Sequence, residues 1–117
     1  MIRALLAAAD ALVIAVAPGS AGAGPTASAA RLCSVGDSQS YGTTYVIWIR
    51  ARHVGCRRAR KVVRGFHKCR KGPRGHCAHF HGWSCSEKRT YGRGSFDSTA
   101  RCHRGGKVVK HKYTQWT

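Results

Sequence analysis

Gly55-Cys56-Arg57-Arg58-Ala59-Arg60-Lys61-Val62-Val63-Arg64-Gly65-Phe66-His67-Lys68-Cys69 is where the chain changes its period. Cys56, Ala59, Val62, Val63, Phe66 and Cys69 recur at three- and four-residue steps, the stripe that one face of an α-helix buries. Arg57, Arg58, Arg60, Lys61, Arg64, His67 and Lys68 fill the other positions as a continuous basic face. Gly55 can serve as the N-cap, and Gly72-Pro73 ends the helix. Gly65 costs the helix about 1 kcal/mol relative to alanine, which suits a close approach to a neighbouring layer. Arginines in the first turn oppose the helix dipole. The helix therefore depends on packing of its apolar stripe.

The stretch before it has the other period. Thr43 to Val54 is rich in β-branched and aromatic residues and reads as a strand. Alternation puts Tyr45, Ile47, Ile49 and Ala51 on the core side and turns Arg50 and Arg52 to solvent. After the helix, Arg70 to His79 is a polar excursion. Phe80 to Ser86 reads as a short strand with Trp83 and Cys85 facing inward together. Gly92-Arg93-Gly94-Ser95 is a turn, and Ser98 to His103 is a strand. Gly105-Gly106 supports a tight hairpin. Lys107 to Thr114 is the return strand, with Val109, His111 and Tyr113 on one side. The order is strand, helix, strand, strand, strand. This is an α+β arrangement, one amphipathic helix on a small antiparallel sheet.

Upstream, Met1-Ile2-Arg3 and an Ala/Leu/Val-rich run from Ala4 to Ala17 read as an export leader, broken by Pro18-Gly19. The run is too short to span a bilayer, which takes about 20 residues. The other reading is a buried N-terminal helix, which the glycines and small residues after the run disfavour. Ala21-Gly22-Ala23 and Ala27-Ser28-Ala29 are both acceptable cleavage sites. We take 1–23 as leader, 24–32 as a flexible lead-in and 33–117 as one domain. The expected product is a secreted monomer with no stable membrane insertion.

The chain holds six cysteines. An even number behind an export signal points to disulfides. Each bridge adds about 2–4 kcal/mol to a domain of this size, mainly by restricting the unfolded chain. Cys69 and Cys77 flank the polar excursion and are expected to close it. Cys56 is expected to reach Cys102, which leaves Cys33 for Cys85. A competing use is a metal site. His76-Cys77-x-His79-x-His81 concentrates metal-ligating side chains, but its spacing fits no standard finger or knuckle. No cofactor is implied.

Lys and Arg number 21 against four Asp and Glu, for a formal charge of +17. Arg3 and Asp10 belong to the leader, so Asp37, Glu87 and Asp97 are the acids that remain. Such a field attracts anionic polymers, whether cell-wall polymer or nucleic acid, without specificity. It also does nothing more than keep a protein soluble in many chains. The expected anion-binding residues are Arg57, Arg58, Arg60, Lys61 and Arg64 on the helix, with Lys107, Lys110 and Lys112 on the last strand. Trp48, Trp83 and Trp116 are available to stack on bases or sugars. A cationic antimicrobial role is a second reading, weakened because packing on the sheet uses up the helix's apolar stripe.

No established catalytic motif is present, and the expectation is a protein that is not an enzyme. The alternative is a small secreted ribonuclease. Glu87, Arg101 and His103, with His111, would supply a base, a charge clamp and an acid. Glu87 beside Lys88 and Arg89 reads more simply as a surface ion pair.

Val54-Gly55-Cys56 with Ala59 and Val62-Val63, then Gly82-Trp83-x-Cys85, then Ala100-Arg101-Cys102-x-x-Gly105-Gly106-x-x-Val109 resemble a group of small secreted actinobacterial proteins of uncharacterised function. The resemblance covers roughly Cys33 to His111. It implies export and a strand–helix–hairpin fold, and no activity. Cys69, Cys77 and the histidine cluster depart from the pattern.

Overall fold

The computed structural model describes residues 29–36, 40–41 and 43–117. The leader over 1–23, the Ala23 cleavage site and most of the lead-in lie outside the described residues. Among the described residues seven strands and one helix follow in order: β1 (Arg31–Cys33), β2 (Ser40–Tyr41), β3 (Thr44–Arg52), α1 (Cys56–Arg70), β4 (His79–Phe80), β5 (Trp83–Tyr91), β6 (Ser95–Arg104) and β7 (Lys107–Trp116). The strands form one sheet in the order β1-β3-β7-β6-β5-β4, with β2 also paired to β3. Every pairing is antiparallel. The α+β reading holds in outline. The strand order does not, because β1 and β2 precede β3, and β4 precedes β5. β1 begins inside the stretch read as lead-in.

Helix α1 buries Ala59, Val62, Val63 and Phe66 against the sheet, together with Arg70. No acid occupies its first turn, while His67, Lys68 and Arg70 suit the negative end of its dipole. Lys71 closes it in the left-handed region and donates its backbone N–H to the Lys68 carbonyl. Gly65 lets Phe80 of β4 lie against the helix, since a Cβ there would sit 2.6 Å from the Phe80 ring.

Register assembles the core row by row. Ala51, Val109, Cys102 and Cys85 stand opposite one another across four strands. Ile49, His111, Ala100 and Glu87 form the next row, and Val46, Tyr113, Ser98 and Arg89 the third. The inward side of β7 is therefore the one read from its sequence. The inward side of β3 is the one read from its sequence only after Ile47, where Ile49 and Ala51 are buried. A register shift between Val46 and Trp48 inserts an extra residue at Ile47, and a bulge reverses the alternation on one side of itself. Val46 is buried in consequence, while Tyr45 and Ile47 stay 42% and 41% exposed.

Three disulfides join Cys33 to Cys56, Cys69 to Cys77 and Cys85 to Cys102. The local Cys69–Cys77 pair agrees with expectation. The pairings Cys56–Cys102 and Cys33–Cys85 are corrected. Cys33 lies opposite Ile49 on the helix side of edge strand β1, so it meets the start of α1. Cys85 and Cys102 lie directly opposite each other in the β5–β6 hairpin.

Candidate functional site: a cationic sheet face

One helix covers one face of this sheet. At its C-terminal end the covered face turns polar. Glu87 and Arg89, two residues apart on β5, form an ion pair with both side chains largely buried. The Tyr113 hydroxyl donates to Glu87 Oε2 at 2.8 Å. Burial, then the Glu87 charge, pushes the Tyr113 phenol up to about 12. Arg70, only 3% exposed, donates to the carbonyls of Gly75 and Pro73 and to Gln115 Oε1. Its guanidinium also lies 2.9 Å from His67 Nδ1, and His67 Nε2 lies 2.9 Å from His111 Nε2.

The donor chain fixes the tautomers. Arginine can only donate, so His67 Nδ1 accepts and its Nε2 carries the proton. His111 Nε2 accepts in turn, leaving the His111 proton on Nδ1. Burial holds both imidazoles well below the ordinary histidine range, with the neighbouring His111 and Arg70 adding to the effect at His67 and Arg70 at His111. A cavity of about 280 Å³ opens beside this cluster, lined by Thr43, Arg64, His67, Lys68 and Gln115 among others. Arg70, His67 and Gln115 spend hydrogen bonds on each other and on the loop that follows the helix. The cluster is a clamp that ties α1, β7 and residues 71–77 together.

The opposite face, uncovered among the described residues, has a different composition. Arg50 of β3, Lys110 of β7 and Arg101 of β6 are direct neighbours across three hydrogen-bonded strands. Facing residues in such ladders lie about 5 Å apart at Cα. Like charges set directly opposite destabilise a sheet. The next row carries Trp48, Lys112, Thr99 and Lys88, and the row on the other side carries Arg52, Val108 and His103. Asp97 is the acid among the described strand residues on this side. It sits at the far end and accepts from Thr114 Oγ1 at 2.6 Å. The Arg50 guanidinium lies over the Trp48 ring, 4.5 Å from its centroid. Arg50, Arg52, Arg101, Lys110 and Val108, with Ala30, line a cavity of about 290 Å³. Arg52 Nε is buried without a hydrogen-bond partner.

The expected anion-binding residues divide between two sides of the molecule. Arg57, Arg58 and Lys61 are exposed on the outer face of α1. Arg60 donates to the Ser34 carbonyl at 3.2 Å, and Arg64 lines the cavity beside His67. Lys110 and Lys112 belong to the uncovered sheet face, and Lys107 starts the same strand at the hairpin. The sequence reading missed Arg50, Arg52, Lys88 and Arg101 as members of this surface. Alternation turns Arg50 and Arg52 to solvent, but only the β3–β7–β6 register aligns Arg50 with Lys110 and Arg101 and puts Arg52 in the row beside them.

The ribonuclease alternative loses its geometry. Glu87 and His111 share the covered face, in one row with Ala100 between them, whereas Arg101 and His103 project from the opposite face. The ion pair expected of Glu87 is present with Arg89, but it is buried and not on the surface, and Lys88 faces the other way. Of the candidate metal ligands, His76 lies 3.8 Å from Glu87 Oε1, while His79 Nδ1 lies 3.3 Å from Ser84 Oγ. His81 occupies a positive-φ turn, so it does not alternate with His79. Cys77 is bonded to Cys69. No group of three metal-ligating side chains converges among the described residues. Of the three tryptophans, Trp83 is core, and Trp48 and Trp116 remain on the uncovered face. Comparison of the chain with protein-family models, with curated proteins and with solved structures returned no match.

Proposed function

We propose that this is a secreted, non-catalytic protein that associates electrostatically with an anionic extracellular polymer, and that the uncovered sheet face is the surface it uses. The observation that carries this reading is the Arg50–Lys110–Arg101 row, three cations held side by side by backbone hydrogen bonds with no acid between them. A row of that kind costs folding free energy, and a polyanion laid across it returns that cost as binding. Arginine adds bidentate hydrogen bonding to phosphate or sulfate oxygens. The outer face of α1 supports the reading less well, because Arg60 is engaged with Ser34. Export is supported by the three disulfides and by the leader read over 1–23. No described helix is long and apolar enough to cross a membrane.

The test is a charge reversal on each side. Lys110→Glu with Arg101→Glu should weaken binding to an anionic column and to polyphosphate at least tenfold. Arg57→Glu with Arg58→Glu should change it by less than threefold at matched net charge. Equal losses from the two pairs would mean that total charge, and not this face, governs association.

A further inference from the structure

The uncovered face is more than a patch of charge. Trp48 stands next to the cationic row on β3, opposite Lys112. Tyr45 stands opposite Thr114 on the same side, 42% exposed. Trp116 shares the β7 side of Lys110, Lys112 and Thr114 and is 58% exposed. Large aromatic side chains are costly to leave in water, since burying one is worth about 1.5–3 kcal/mol. The interior of this protein has room for aromatics and takes Phe66, Trp83, Phe96 and Tyr113. Three others nevertheless share the exposed surface of the cations: Trp48 in the adjacent row, Tyr45 in the row of Thr114 and Asp97, and Trp116 one row beyond.

From this juxtaposition we infer that the polymer is single-stranded nucleic acid: the Arg50–Lys110–Arg101 row takes the phosphodiester backbone, and Trp48, Trp116 and Tyr45 stack its bases. The inference rests on the polymer-binding reading above and names the ligand class for the same face. A flat sheet with a charged track and neighbouring rings suits a flexible strand whose bases can turn toward the protein. A duplex keeps its base faces inside the stack and polyphosphate has no ring, so neither uses the aromatic half of the surface. A sugar-bearing cell-wall polyanion offers saturated rings, which touch an aromatic through C–H groups and lack the flat π-face of a base. Arg50 joins the halves, because its guanidinium already lies on Trp48 and offers both a planar face for a base and donors for a phosphate.

The experiment measures the affinity of the full mature protein for oligo(dT) of about twenty nucleotides, long enough to span a site of this size. The comparison ligands are an abasic oligomer of equal length, the corresponding duplex and polyphosphate of equal charge. The expected result is an oligo(dT) affinity about tenfold or more above each of them, with a salt slope of about −0.7 per phosphate contacted. Trp116→Ala and Trp48→Ala should each weaken oligo(dT) about tenfold, the effect of losing one stacked base. Polyphosphate binding should stay within twofold. Trp116 is exposed near the chain end, so that variant keeps the test independent of any folding defect in Trp48→Ala.

Equal affinity for oligo(dT) and the abasic strand overturns the inference. So does polyphosphate binding as tightly as oligo(dT), which would point to a cell-wall polyanion. In either case polymer binding itself survives. If Lys110→Glu with Arg101→Glu leaves the affinity for every ligand unchanged, the polymer-binding reading fails and this inference falls with it.

Discussion

Acidification should unfold this protein through two side chains, His67 and His111. Both rings are buried between α1 and β7, 2.9 Å apart at Nε2, and enclosed by Phe66 and Tyr113. The groups facing them are the Arg70 guanidinium and the Tyr113 phenol. Glu87 is spent on Arg89 and Tyr113. The folded state therefore keeps both imidazoles neutral, while the unfolded chain takes up a proton on each below about pH 6.5. The sign follows from linkage: where the unfolded state binds more protons, stability rises with pH. The contribution is fully present above about pH 6.5 and is lost as pH falls below it.

For a ring that stays neutral when folded, the loss between pH 7 and about pH 4.5 is about 2.6 kcal/mol, or about 5 kcal/mol for the pair. That is comparable to the whole stability of many small domains, about 5–15 kcal/mol. The assay is urea unfolding followed by tryptophan fluorescence, disulfides intact, at several pH values. The pH slope should approach about 2.7 kcal/mol per unit near pH 5 from the histidines alone. His67→Gln or His111→Gln should remove half of that slope, whatever each substitution does to stability at neutral pH. Slopes equal in the native protein and in both variants would refute the reasoning. So would an imidazole resonance of His111 titrating near its ordinary value in the folded state.

Lys71→Gly should stabilise the fold by about 1 kcal/mol, since Lys71 caps α1 at φ 52° and ψ 62° where a Cβ is disfavoured; thermal unfolding should shift upward by about 5 °C. Gly75→Ala should destabilise by more than about 2 kcal/mol, because its Cβ would be driven into the Arg70 carbonyl and would push away the loop whose Gly75 oxygen accepts from Arg70 and Arg89; urea unfolding measures it. Gly65→Ala should fail to deliver the roughly 1 kcal/mol of helix propensity it offers, since the new methyl meets the Phe80 ring. The gain should reappear in a Phe80→Ala background, which a double-mutant cycle reads as coupling. Added salt should raise the melting temperature of the free protein by screening the Arg50–Lys110–Arg101 row, and Lys110→Gln should flatten that response.

What could be read from the sequence was local. The α1 stripe was legible because Ala59, Val62, Val63 and Phe66 repeat within a few turns, and the inward side of β7 was legible because Val109, His111 and Tyr113 alternate without interruption. Cys69–Cys77 could be anticipated because the two lie eight positions apart. Errors began where a distant partner decides. The bulge at Ile47 arises in the β3–β7 pairing, and nothing in Thr44–Arg52 taken alone announces it. Cys33 joins Cys56 because β1 pairs with β3, and Cys85 joins Cys102 because a hairpin sets their register. One part of the site was within reach. Once Cys102 is assigned to the core, alternation puts Arg101 and His103 on the other face from it, which separates them from Glu87 if Cys85 is inward. The cationic row was out of reach, since it is a property of three strands drawn from two ends of the domain.

The covered and uncovered faces also solve opposite electrostatic problems, and the contrast argues for where function lies. Under α1 and its loop the cations Arg70 and Arg89 are fully engaged, by Glu87, by carbonyls of residues 73 and 75 and by Gln115. Burial forces that economy, because an unpaired charge in the interior costs several kcal/mol. On the uncovered face water tolerates unpaired charge, so nothing in folding requires Arg50, Arg101 and Lys110 to be adjacent. Folding in fact disfavours it. A sheet face that needed only to be wet would do better with both signs interspersed, and Thr99 in the adjacent row shows that a neutral residue fits there equally well. The fold accepts repulsion on the one surface that the helix leaves open, and three covalent staples offset the loss. That distribution is expected of a surface whose partner brings the missing negative charge with it.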